Sequence, residues 1–157
     1  MSQPSSAGML YAVWGSGRAD VWAVGERGNG PLLFHFDGAA WGASTTPLPG
    51  GTPGLLAVWG NGNDDVWAAG GSTGVHFDGS VRSTIAIAGA TAIHGLWGSG
   101  KKDVWAVDAS GAIFRGDGSG WSQFPSPSSL GLRPVSVTSP QSGWAVGESG
   151  TILKLGP

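Results

Sequence analysis

The sequence contains no cysteine, which excludes disulfides and cysteine-ligated zinc and marks no redox compartment. Charge is scarce: Asp, Glu, Lys and Arg make up 11% of the 157 residues, against about 25% in an average soluble domain. Disorder needs high charge and little apolar surface, so a disordered chain is not expected. The net charge is −2 and the 8 basic residues are scattered, so there is no electrostatic footprint for nucleic acid or anionic lipid. Acidic chemistry is thin as well, with only Glu26 and Glu148 beside the aspartates, and Tyr11 is the single tyrosine. No apolar run nears the length of about 18 residues that suggests a membrane-spanning helix. The polar stretch Met1 to Gly8 lacks a basic-then-apolar pattern, so no signal peptide is expected. No window shows the 3.6-residue apolar period of a helix. The composition suits a secreted or surface bacterial domain without specifying a location.

What the chain does have is glycine, 30 residues without a collagen period, and 9 tryptophans. Glycine adds nothing to a core, so the indoles must supply much of it. These residues recur in order. Ala12-Val13-Trp14-Gly15-Ser16-Gly17 is followed by Asp20-Val21-Trp22-Ala23-Val24-Gly25. The same pattern returns at Ala57–Gly62 with Asp65–Gly70, and at Gly95–Gly100 with Asp103–Val107. A degraded fourth copy reads Ser136-Val137-Thr138-Ser139, then Gly143-Trp144-Ala145-Val146-Gly147. Each copy continues into a further apolar stretch, which in three copies leads to Asp-Gly at 37–38, 78–79 and 117–118. Trp41 and Trp121 then follow, and a 40-residue spacing places Val81 and Met1 at the matching points.

Each segment reads as a short strand bounded by turn residues. In Val21-Trp22-Ala23-Val24 both alternating faces are apolar, as in a strand covered on both sides. Four strands per repeat, stacked face to face and repeated radially, predict an all-β propeller of four four-stranded antiparallel blades. It forms a single domain over 1–157, with blades at about 9–46, 54–86, 92–126 and 132–157 plus 1–5. The phase of the repeat predicts that residues 1–5 serve as the outer strand of the last blade.

The run Val-Trp-Gly-Ser-Gly, Asp-Val-Trp-Ala-Val-Gly, His-Phe-Asp-Gly and Trp resembles the Trp-rich repeats of bacterial β-propellers. Its Asp-Gly-x-x-Trp portion is similar to the Asp-box of sialidase and photosystem II assembly-factor propellers. The serine or threonine of that box is replaced here by His35, His76 or Arg115. The resemblance implies the fold. It does not fix a function, because this fold serves hydrolases, lectins and scaffolds.

Trp22, Trp67, Trp105 and Trp144 are expected in the core between blades. Trp14, Trp59 and Trp97 precede Gly-x-Gly loops. They form either a second packing layer or an aromatic ligand platform, which Arg18, Asn63 and Lys101 on the adjoining loops would complete. Asp20, Asp65 and Asp103 are expected to accept hydrogen bonds from loop amides. His35 and His76 are expected to make one hydrogen bond repeated in each blade. His94 pairs with neither, and the five arginines show no converging pattern. Arg115-Gly116-Asp117 spells an adhesion tripeptide by chance, since it fills the slot of His35-Phe36-Asp37.

No catalytic residues, metal site or cofactor emerge. The leading expectation is a non-enzymatic propeller binding carbohydrate at several similar sites. The alternative is a protein-binding scaffold, and a glycoside hydrolase comes third. Two assemblies fit the repeat: a homodimer closing an eight-bladed ring, slightly favoured, and a four-bladed monomer.

Overall fold

The Gly-x-Gly and Asp-Gly punctuation folds the chain into successive antiparallel hairpins. The computed structural model describes residues 8–28, 30–43, 48, 51–139 and 142–155. The first sheet runs in the order β1 (Met9–Gly17), β2 (Asp20–Arg27), β3 (Gly30–Phe36), β4 (Trp41–Ala43). The second comprises β5 (Ala57–Gly62), β6 (Asp65–Gly70), β7 (Thr73–Phe77) and β8 (Arg82–Ala86). The third comprises β9 (Ile93–Gly100), β10 (Asp103–Asp108), β11 (Ile113–Gly116) and β12 (Trp121–Phe124). In the fourth, β13 (Leu132–Ser139), β14 (Ser142–Gly147) and β15 (Ile152–Leu155) form three strands. The expected fourth strand of that sheet, residues 1–5, lies outside the described residues.

The chain is therefore an all-β propeller of four antiparallel blades. The inner strands pack in series, β1 on β5, β5 on β9 and β9 on β13. Among the described residues no comparable packing returns from β13 to β1. Among the described residues the blades thus form an arc with two end faces.

One rule governs each blade boundary. Cross-strand partners share a face, so Trp14, Trp22 and His35 project together from the first blade. Trp22, Val24 and Leu33 meet Val58, Val66 and Val75 of the second. Trp67 and Ile87 meet Leu96, Val104 and Phe114 of the third. Trp105, Val107 and Ile113 meet Val135, Val137 and Leu155 of the fourth. Each fully buried large side chain contributes about 1.5–3 kcal/mol relative to exposure. The three indoles anchor these layers, and β6 and β10 are buried along their whole length.

Three sequence expectations need correction. Trp144 is exposed, not core, because among the described residues no following blade lies against its face of the last blade. Val81 is also exposed. Arg82 is the residue that pairs with Phe77 as Trp41 pairs with Phe36, and its guanidinium lies 5.4 Å from the centre of the Trp22 ring. Ser136 stands opposite Trp144, as Trp14 stands opposite Trp22, so it corresponds to Trp14 and not to Ala12. With neither the tryptophan nor the glycine that anchor the other inner strands, the fourth copy is aligned only by its cross-strand partner.

Candidate functional site

The repeated polar residues turn out to be framework. Asp20 Oδ1 accepts from the Trp22 indole at 3.0 Å and lies 2.7 Å from His35 Nε2, and the Ser16 hydroxyl donates to Oδ2. In the third blade Asp103 accepts from Trp105 Nε1 (3.1 Å), Ser99 Oγ (2.6 Å) and Arg115 Nε (2.8 Å). In the second, Asp65 Oδ1 lies 2.8 Å from His76 Nε2. The repeated histidine bond is therefore present, with Arg115 taking the histidine's place in the third blade. The aspartates bind side chains of their own blade where loop amides were expected. His35 and His76 also stack on Trp22 and Trp67, with ring centres 4.3 and 4.1 Å apart. The Asp-Gly turns are held the same way in three blades. Asp37 Oδ1 accepts from the amides of Ala39 and Ala40, both at 2.9 Å, while Gly38 takes φ +95°, a conformation open to glycine. The charged groups of Arg115-Gly116-Asp117 are thus both committed within the blade.

Two of the three tryptophans considered as an aromatic platform pack between blades. Trp14 reaches across to Gly60, and Trp59, which is buried, reaches across to Gly98. Trp97 is partly exposed, and its indole donates to the Val137 carbonyl at 2.8 Å, bridging to the fourth blade. Arg18, Asn63 and Lys101 are all exposed at equivalent β1–β2, β5–β6 and β9–β10 turns. Lys101 pairs with Asp64 at 2.7 Å. It helps line an open cavity of about 550 Å³ with Asp65, His76, Asp78 and Asp117. The six residues are thus spread two to a blade over three blades, Trp14 with Arg18, Trp59 with Asn63 and Trp97 with Lys101.

A different set does converge. Three of the four inner strands carry a register irregularity near the start. In β1 the register skips Tyr11 between Leu10 and Ala12. In β9 it skips His94 between Ile93 and Gly95, and in β13 it shifts between Leu132 and Val135, where Arg133 lies. Leu56 occupies the same place immediately before Ala57 in the second blade. A bulge leaves its extra residue out of the ladder and re-aims the side chain. Tyr11, Leu56, His94 and Arg133 line a common cavity of about 500 Å³ along the inner strands, one residue from each blade.

Their chemistry is mixed: a phenol, an isobutyl group, an imidazole and a guanidinium. The Tyr11 hydroxyl donates to Glu26 Oε1 at 2.6 Å, and that bond, with some burial and the carboxylate's charge, raises the phenol's pKa. Burial, then the Arg133 guanidinium, lowers the pKa of His94, against the opposing pull of Asp108 and Glu148. The charged imidazolium is thereby disfavoured, and the buried Nδ1 of His94 has no hydrogen-bond partner among the described residues. Arg133 lies 3.9 Å from Glu148. Sequence reading missed this set. The one available signal was a position just ahead of each repeated motif whose residue differs in every copy.

Blades of this topology stacked in series define the β-propeller class. No protein-family model and no curated protein matches the sequence. Among solved structures, YCF48 from Cyanidioschyzon merolae superposes with a TM-score of 0.74 at 18% identity, over 96% of this chain and 52% of its own. A structure described as YCF48 bound to D1 peptide gives 0.66 at 15% identity, covering 98% and 52%. A streptogramin B lyase structure gives 0.72 at 12% identity, covering 98% and 57%. At these identities the likeness concerns the fold. The chain spans about half the length of the propellers it matches.

Proposed function

We propose that the chain is a non-enzymatic, protein-binding propeller that takes a peptide segment against Tyr11, Leu56, His94 and Arg133. The observation that carries this reading is the recurrent bulge. The framework residues repeat from blade to blade, while the position just ahead of each inner-strand motif, a register shift in three of the four blades, holds a different residue each time. Packing asks equivalent positions for equivalent residues, whereas recognition of an asymmetric ligand asks for different ones. Tyrosine and arginine are also the types that dominate protein-binding hot spots. That a YCF48 structure of the same fold is described as bound to a peptide supports the same reading. Carbohydrate binding has lost most of its proposed platform, since Trp14 and Trp59 are engaged between blades.

Selection from a displayed peptide library tests the proposal, with a glycan array run alongside. Selected peptides are expected to lose at least tenfold in affinity, about 1.4 kcal/mol, on Arg133→Glu or Leu56→Asp. Peptides that bind both variants as they bind the parent, or ligands found only on the glycan array, would sink it.

A further inference from the structure

The two end faces of the arc are the two halves of an interface that the chain already makes three times. On the leading side, Trp144 is 52% exposed, whereas its counterparts Trp22, Trp67 and Trp105 are each 1% exposed. Beside it Ile152 is 66% exposed, while Leu33 and Ile113 at the same register are buried. On the trailing side, Val13 is 68% exposed, against 9% or less for Val58, Leu96 and Val135. Leu10 is 51% exposed, while Leu55, Ile93 and Leu132 are fully buried. Farther out on that face Phe34 is already buried, so the uncovered part follows the inner strand.

We propose that two copies of this chain close head to tail into one eight-bladed ring, the Trp144 face of each seated on the Val13 face of the other. Three observations select a second copy as the occupant. First, the faces are complementary by construction: each internal boundary seats a tryptophan face on an aliphatic face, and the ends present one of each. Second, the first residue of an outer strand lies on the central tryptophan of the preceding blade. Trp121 stands edge-on to Trp67 with ring centres 5.5 Å apart, and Arg82 lies over Trp22. Trp41 is the equivalent residue of the first blade, and in the ring it takes that place over Trp144 of the second copy. Third, four blades in this arrangement superpose over 96% of the chain on about half of a longer one, so the arrangement is compatible with a larger fold. Eight blades lie within the range of about four to eight that propellers use. A head-to-tail contact that closes after two copies leaves no uncovered face. The ring also brings two sets of bulge residues around one axis, so the site described above is half of the assembled one.

The test uses the full chain and two charge variants, with mass measured by sedimentation across a wide concentration range. The parent is expected at twice the chain mass of 15.8 kDa. V13K alone and W144E alone are each expected at the single-chain mass with unchanged circular dichroism, because both positions are exposed in one chain. Mixing the two variants should restore the double mass, since one junction is then unaltered and the other pairs lysine with glutamate. A parent that stays at the single-chain mass overturns the proposal. So does a parent that grows into longer open assemblies, a dimer indifferent to both variants, or a mixture that stays monomeric. None of these readouts involves peptide binding, so the two proposals can fail separately.

Discussion

The indole of Trp59 crosses a blade boundary to occupy the space that Gly98 leaves open. A Cβ on Gly98 would stand 2.6 Å from Trp59 Cη2 and 2.6 Å from the Asp103 carbonyl oxygen. Trp14 relates to Gly60 in the same way, at 2.5 Å. These pairs explain why tryptophan and glycine recur together in the inner strands.

Gly98→Ala should therefore destabilise the protein by about 1–3 kcal/mol, since one of its two clashes is with backbone and cannot be relieved by a rotamer change. Gly100→Ala, where nothing lies within 4 Å of the new Cβ, should change stability by no more than about 0.5 kcal/mol. Denaturant melts of the two variants make the comparison, and equal midpoints would contradict the packing role of Gly98.

Replacing Trp67 or Trp105 by alanine should cost about 3–5 kcal/mol, the usual range for emptying a large core site. Trp144→Ala should cost under about 1 kcal/mol at concentrations where single chains prevail. Thermal melts at dilute protein distinguish the two classes.

Asp103→Ala should destabilise by about 1–3 kcal/mol, because the Trp105 indole N–H and the Arg115 guanidinium lose their shared acceptor. Adding Arg115→Leu should recover part of that loss by removing the orphaned charge. A double-mutant cycle in urea measures the coupling, and strict additivity would argue that the carboxylate does not hold the two groups together.

Acid should weaken the Asp-Gly turns in a defined window. The Ser119 hydroxyl, then the amides of Ser119 and Gly120, lower the Asp117 pKa from 3.8 to about 2. Turn amides lower Asp37 and Asp78 in the same direction. A depressed folded-state pKa gives stability that is fully present above the unfolded value and is lost as pH falls through the folded one. Stability should thus decline from pH 3.8 toward about 2, and Asp117→Asn should flatten part of the slope. Urea midpoints between neutrality and acid follow this directly. A slope unchanged in the variant would remove Asp117 from the account.

The blades were legible because turn residues and central tryptophans repeat at nearly fixed spacing, and both answer to local chemistry. That His35 and His76 make one repeated hydrogen bond could be anticipated from recurrence, but their partners Asp20 and Asp65 could not, because an aspartate ahead of a strand equally suits loop amides. Trp144 could not be separated from Trp22 in this way, because burial depends on whether another blade follows, and an isolated repeat carries no record of its neighbour. Ser136 was misaligned by two positions since the fourth copy has lost the residues that mark register. Tyr11, Leu56, His94 and Arg133 escaped notice for a related reason. Their position is marked only by its variation from copy to copy, and a search for repeats passes over what does not repeat.

That freedom has a consequence for how such a protein changes over time. A substitution at Leu56 or His94 leaves the ladder hydrogen bonds and the interblade tryptophans in place, so mutation can explore these positions without the fold being put at risk. The arc offers one such position per blade, each open to change independently of the others. For the peptide site proposed above, new specificities would arise by single replacements along the inner strands, while the glycines and indoles around them are held fixed by packing.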